Sequence, residues 1–185
     1  MSTPRFFLVA GLLAGLLLMV GCASGPRRGD PPMPLAPFVD LDRFMGTWYV
    51  HGYTPTVIDQ NAFNPTETYQ RGKNGRILTT YRFNAGAAEG PAKEYHPKGR
   101  VFDQTSNAEW RMTFFGVITS PYLILYVNDD YTQTVIGHPG RTMAWIMTRS
   151  PEIDEATYVT LRAELETRAF DLIKFQRATH GPAVE

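Results

Sequence analysis

The pattern of apolar and polar positions divides the chain into four stretches. Phe6 to Val20 form an apolar run without a charged residue, preceded by a short segment whose only charge is Arg5. The run is shorter than the roughly 20 residues a membrane-spanning helix needs, but it suits the apolar region of an export signal. Residues 23–37 carry five prolines, which forbid a helix and favour extended polyproline geometry. From Phe38 onward come short β-type runs separated by turn residues. The first is Thr47 to Tyr53. Thr66 to Gln70 and Ile77 to Phe83 flank Gly72-Lys73-Asn74-Gly75, where Asn-Gly is a strong hairpin signal. A Pro-interrupted pair follows around His96-Pro97, with runs near Ala92 to Tyr95 and at Gly99 to Asp103. Glu109 to Phe115 alternates cleanly: Trp110, Met112 and Phe114 share one face, and Glu109, Arg111 and Thr113 the other. Tyr122 to Val127, Thr132 to His138 and Met143 to Thr148 complete a series spaced as an antiparallel meander requires. After Ser150-Pro151 the period changes. Asp154 is placed to cap a helix reaching Arg168, with Tyr158, Leu161 and Leu165 on one face. Phe170 to Phe175 reads as a last short strand. The expected fold is all-β: eight antiparallel up-and-down strands, a C-terminal α-helix and a short ninth strand.

Cys22 is the only cysteine, and it stands directly after the apolar run. The segment Met19-Val20-Gly21-Cys22 resembles the lipobox of bacterial lipoproteins, which implies cleavage after residue 21 and acylation, for example by palmitate, of Cys22. Ordinary signal cleavage and an uncleaved N-terminal anchor are the alternatives. One acyl chain holds a protein to a membrane only marginally, whereas two or more hold it firmly. Ala23 and Ser24 lack the aspartate read as an inner-membrane retention signal, so the expected location is the outer membrane, with the domain facing the periplasm. The divisions are then a signal peptide over 1–21, an acylated tether over 22–37, a barrel domain over 38–177 and a tail over 178–185. Without residues 1–21 the chain has 17 Lys+Arg, one fewer than the 18 of the whole, against 18 Asp+Glu. That balance argues against nucleic acid as a partner. With no second cysteine, the domain must be stabilised by its core, and about 160 residues suffice for one.

Three segments resemble the lipocalin family, and the leader extends the likeness to its bacterial outer-membrane lipoprotein members and the apolipoprotein D branch. Asp40 to Tyr49 contains Gly46-Thr47-Trp48, similar to the family's G-x-W signature behind a short helical turn. Asn128-Asp129-Asp130-Tyr131 is similar to its T-D-Y turn. Thr148-Arg149-Ser150-Pro151 is similar to its third motif, whose key residue is the arginine. The resemblance implies that Gly46, Trp48, Asp130, Tyr131 and Arg149 form a fold signature, with the Arg149 guanidinium lying over the Trp48 indole at the closed end of the barrel. Two departures stand out: Thr134 replaces a common aromatic, and the loop Thr54 to Asp59 has few basic residues.

Eight strands close a barrel that side chains can fill or that can hold one small ligand. Alternation and aromatic content nominate Trp110, Met112, Phe114, Tyr126 and Trp145 as cavity-lining, although the same residues could simply fill a solid core. Catalytic signatures are missing: His51, His96, His138 and His180 have no metal-ligand spacing, and no nucleophile elbow or phosphate loop occurs. Asp129-Asp130 is best explained by turn formation. The sequence therefore points to an anchored protein, with no cofactor or metal, that binds a fatty acid or lysophospholipid-like ligand. A filled structural lipoprotein and a lipid-modifying enzyme are the alternatives, and a second copy of the chain, as a homodimer, is a further candidate partner.

Overall fold

The computed structural model describes residues 33–181. The leader, Cys22 and most of the proposed tether lie outside the described residues, as do positions 182–185. A one-turn helix α1 (Leu41–Phe44) leads into β1 (Gly46–Tyr53), β2 (Ala62–Arg71) and β3 (Arg76–Ala85). Then come β4 (Ala92–Tyr95), β5 (Lys98–Val101), β6 (Glu109–Phe114), β7 (Ile118–Val127), β8 (Gln133–Gly137) and β9 (Ala144–Thr148). Helix α2 (Glu155–Glu166) and β10 (Gln176–Arg177) close the chain.

Every strand runs antiparallel to its neighbours, and β9 returns to pair with β1, closing a barrel. Strands β4 and β5 are two halves of a single staff of that barrel. Both pair with β3 in one uninterrupted register, Tyr81 opposite Tyr95 and Leu78 opposite Lys98. The break falls at Pro97, which has no N–H to give to the ladder but still accepts from the Thr79 N–H at 3.1 Å. The barrel proper is thus eight-stranded, with β10 added outside along β1.

The local signals behave as their chemistry dictates. Asn74 and Gly75 both take positive φ, 59° and 69°, in the turn that joins β2 to β3. The carboxylate of Asp154 caps α2 by accepting from the Thr157 N–H at 2.8 Å and from its hydroxyl at 2.7 Å. Asp154→Ala should lower stability by about 1 kcal/mol, read as a lower urea midpoint with an unchanged slope.

Two apolar clusters result. One fills the barrel interior. The other lies outside it, where Tyr158, Leu161 and Leu165 of α2 cover Leu123, Leu125, Val135, Ala144 and Ile146. This explains why β7 to β9 are apolar on both faces: one side looks into the barrel and the other lies under a helix.

Three expectations shift. The ninth strand is Gln176–Arg177 rather than Phe170 to Phe175, because Phe170 and Phe175 turn inward to complete the outer cluster. Residues 33–37, assigned to the tether, have no regular structure but are docked: the Ala36 N–H donates to the Ile124 carbonyl at 2.9 Å, and Arg168 Nε donates to the Pro34 carbonyl at 2.9 Å. The start of the assigned tail is also docked, with the Ala178 N–H on the His51 carbonyl and the Gly181 N–H on the Asn64 side chain.

Candidate functional site: an apolar cavity over a sealed floor

One end of the barrel is shut by α1. Phe44, on that helix, is fully buried against Trp48, Tyr69 and Trp110, with ring centroids 5.1, 5.6 and 5.4 Å away. The Trp48 indole N–H donates to the Phe44 carbonyl at 2.9 Å, tying strand to helix. Over the outer face of that indole lies Arg149, its guanidinium carbon 3.7 Å from the ring centroid. Its Nη1 donates to the Thr47 carbonyl at 2.8 Å, and its Nη2 serves the carbonyls of Arg43, Phe44 and Met45 at 2.9, 3.0 and 2.7 Å. Nε reaches the Tyr131 carbonyl at 3.2 Å. Arg149 thereby caps carbonyls that the one-turn helix leaves open. Gly46 stands at φ 94°, which strains any other residue, and a Cβ there would also press on Arg149 Nη1 at 3.2 Å. The third segment joins the same end: Tyr131 accepts the Asp40 N–H at 2.7 Å, and its ring lies under the Arg43 guanidinium. Asp130 is exposed at the tip of that turn, whose hydrogen bonds are made by Asn128 instead.

Above this floor the barrel opens into a cavity of about 610 Å³, within the usual range for small-molecule sites. Met112, Phe114 and Trp145 line it, beside Tyr95, Tyr122 and Met143. Its rim is formed by Val57 and Ile58 of the β1–β2 loop and by Phe115 and Gly116 of the β6–β7 turn.

The structure places the other two nominated residues elsewhere. Trp110 points inward but sits a layer deeper, wholly buried in the aromatic floor, with its indole N–H donating to the Asn107 carbonyl at 2.8 Å. Alternation fixes the face of a residue, not its depth along the barrel axis. Tyr126 lies outside, packed against the cluster under α2. The pairing of β7 with β8 slips between Ile124 and Tyr126, and a one-residue slip turns every later side chain to the opposite face.

The cavity wall also carries polar groups that the sequence reading did not nominate. Glu67 is only 8% exposed. The hydroxyls of Tyr69 and Tyr122 both donate to its Oε2, the latter at 3.3 Å. Burial pushes its carboxyl from the usual 4.5 up to about 7; the Tyr122 hydrogen bond opposes that rise and the nearby Asp59 charge adds to it. Asp59, 4% exposed, accepts from the Thr56 N–H and hydroxyl at 2.6 and 2.7 Å and from the Tyr81 hydroxyl at 3.0 Å. Glu67 was legible in one respect. Pro65, Glu67 and Tyr69 are the inward positions of β2, so a carboxylate falls on a buried stripe. Nothing in sequence marked Asp59, whose burial follows from how its loop folds over the mouth. The histidines form no common site. His138 lines the cavity, His96 is exposed at its edge, and His51 and His180 lie ring to ring at 4.9 Å outside the barrel. Among the described residues no His, Cys, Asp and Glu cluster could hold a metal ion.

The profile of a lipocalin-like domain matches residues 39–180. The chain is 24% identical over 169 residues to the outer membrane lipoprotein Blc of Escherichia coli strain K12, covering 91% of this chain and 93% of that protein. It is 26% identical over 151 residues to temperature-induced lipocalin-1 of Arabidopsis thaliana, covering 75% and 78%. Among solved structures, insecticyanin from the tobacco hornworm Manduca sexta superposes with a TM-score of 0.64 at 18% identity, over 83% of this chain and 87% of that one. Lobster apocrustacyanin A1 does so with a TM-score of 0.60 at 12% identity, over 78% and 81%. With the plugged floor, the open mouth and the profile spanning all eight barrel strands, the chain belongs to the lipocalin family.

Proposed function

We propose that this protein is a lipoprotein of the outer membrane, held through acylated Cys22 with its barrel facing the periplasm, that binds and carries fatty acids or lysophospholipids. The observation that carries the binding reading is the cavity: about 610 Å³, open at one end and walled by Met112, Phe114, Trp145 and other apolar side chains. An acyl chain gains about 0.8 kcal/mol for each methylene it removes from water, so such a wall favours it without any specific contact. The anchoring half is supported by the leader pattern and by the likeness to an outer membrane lipoprotein over most of both chains. The cavity also favours a container over a filled scaffold.

Titration of the full chain with a fluorescent fatty acid should give saturable, one-to-one binding. Ser120→Trp, which puts a bulky ring into the cavity wall, should weaken that binding about tenfold or more while leaving the fold intact. Binding that does not saturate, or that ignores Ser120→Trp, would refute the reading. For the anchor, Cys22→Ser should move the protein from the membrane fraction to the soluble envelope fraction and remove the acyl mass from its N-terminus.

A further inference from the structure

Two acids are buried in the cavity wall. Glu67 and Asp59 are carboxyls, and the neighbouring Tyr69, Tyr81 and Tyr122 hydroxyls are already spent as donors to them. Both hydroxyls that reach Glu67 engage Oε2; among the described residues no donor reaches Oε1. Thr79 adds an independent sign. It is 4% exposed, lies on the inward face of β3 in the cavity wall, and its buried hydroxyl has no hydrogen-bond partner. A buried polar atom left unpaired is costly and points to a missing partner. The register puts the two side by side: Glu67 is opposite Tyr81 and Tyr69 opposite Thr79, so Glu67 and Thr79 are diagonal neighbours on one face. Such pairs lie about 7–8 Å apart between backbones, a gap that one small group bonded to both side chains can bridge.

Among the described residues no cation lies inside the cavity to balance these acids. Lys98 and His96, at the cavity edge, are exposed. Burial lowers the pKa of His138, disfavouring its charged form, and its Nδ1 accepts the Gly140 N–H. A ligand carboxylate or phosphate driven inward past the mouth would meet two carboxyls and no compensating charge among the described residues. An ammonium, with three donors and no acceptor, would find acceptors at Glu67 Oε1 and Thr79 Oγ1.

We propose that the cavity is built to seat a long-chain amine with its ammonium end inward, held by Glu67 and Thr79 in the field of Asp59. The inference rests on the reading that the cavity takes an apolar chain, and it specifies which end of the ligand enters first. An anionic amphiphile would then bind tail-first, its charge left at the mouth near Lys98 and His96. The raised pKa of Glu67 adds a direction: its proton must leave before it can pair with an ammonium, so amine binding strengthens as pH rises through about 7.

The test uses the full chain and three ligands of equal chain length, dodecylamine, dodecanol and dodecanoate, each displacing a fluorescent fatty acid at about pH 8 and about pH 6. At the higher pH the amine should displace at about tenfold lower concentration than the other two, the scale of one charged hydrogen bond. The advantage should shrink at the lower pH and vanish in Glu67→Gln. Thr79→Val, which replaces the hydroxyl by a methyl group of similar size, should weaken the amine several-fold more than it changes dodecanoate; it also serves if Glu67→Gln fails to fold. Dodecanoate matching or exceeding the amine, or both variants binding amine as the parent does, overturns the proposal while leaving the fatty-acid reading standing. Failure of all three ligands to displace the probe, or of the probe to bind, refutes both.

Discussion

Arg149→Ala is expected to lower the free energy of unfolding by about 4 kcal/mol. Hydrogen bonds from a charged donor contribute about 1.5–3 kcal/mol each, though not additively. Arg149 makes five such contacts, to the carbonyls of Arg43, Phe44, Met45, Thr47 and Tyr131. The stacking over Trp48 adds about 0.5–2 kcal/mol. Alanine would strand the carbonyls of α1 and uncover the indole, so the loss includes their desolvation as well as the lost bonds. Arg149→Lys separates shape from charge. An ammonium cannot reach carbonyls on three segments at once or lie flat on a ring, so it should recover less than half of the loss. Urea titrations of the three proteins at one pH decide the matter. A lysine variant as stable as the parent would show that charge alone sufficed.

Much of this end was legible because its chemistry is residue-specific. A glycine at positive φ, a tryptophan two residues on and an arginine after the last barrel strand left recognisable letters at Gly46, Trp48 and Arg149. The alternation of Glu109 to Phe114 was legible for the same reason, since β6 has a polar outer face. Legibility failed where a tertiary event set the outcome. The strands β7 to β9 are apolar on both faces because α2 covers one of them, so their phase could not be read. The slip after Ile124 then carried Tyr126 outward. Trp110 had the right face and the wrong depth. Glu67 and Asp59 escaped notice because carboxylates are ordinarily solvated, and only the folded barrel shows that these two are not.

The contribution of Glu67 to stability should fall as pH rises from about 4.5 to about 7, by an amount that Glu67→Gln abolishes. In the unfolded chain the carboxyl of Glu67 ionises near 4.5, and in the folded cavity near 7. Between those values the native state binds the extra proton, so the slope of unfolding free energy with pH is negative. Below both values the residue is neutral in each state and has no effect; above both, the full penalty stands. At about 1.4 kcal/mol per pH unit of displacement, that penalty is about 3 kcal/mol. His51, His138 and His180, whose pKa values burial lowers, act in the opposite sense and weaken the fold as pH falls. Comparing Glu67→Gln with the parent across pH cancels them, because they are common to both. The variant should match the parent near pH 4 and exceed it by about 3 kcal/mol near pH 8. A difference that stays constant with pH would mean that Glu67 ionises normally and that the cavity floor is solvated. If the difference grows as expected, the protein keeps in its cavity a carboxyl that destabilises the empty barrel at neutral pH. A container for hydrocarbon alone would have no use for such a group; one that pairs it with a cationic end would.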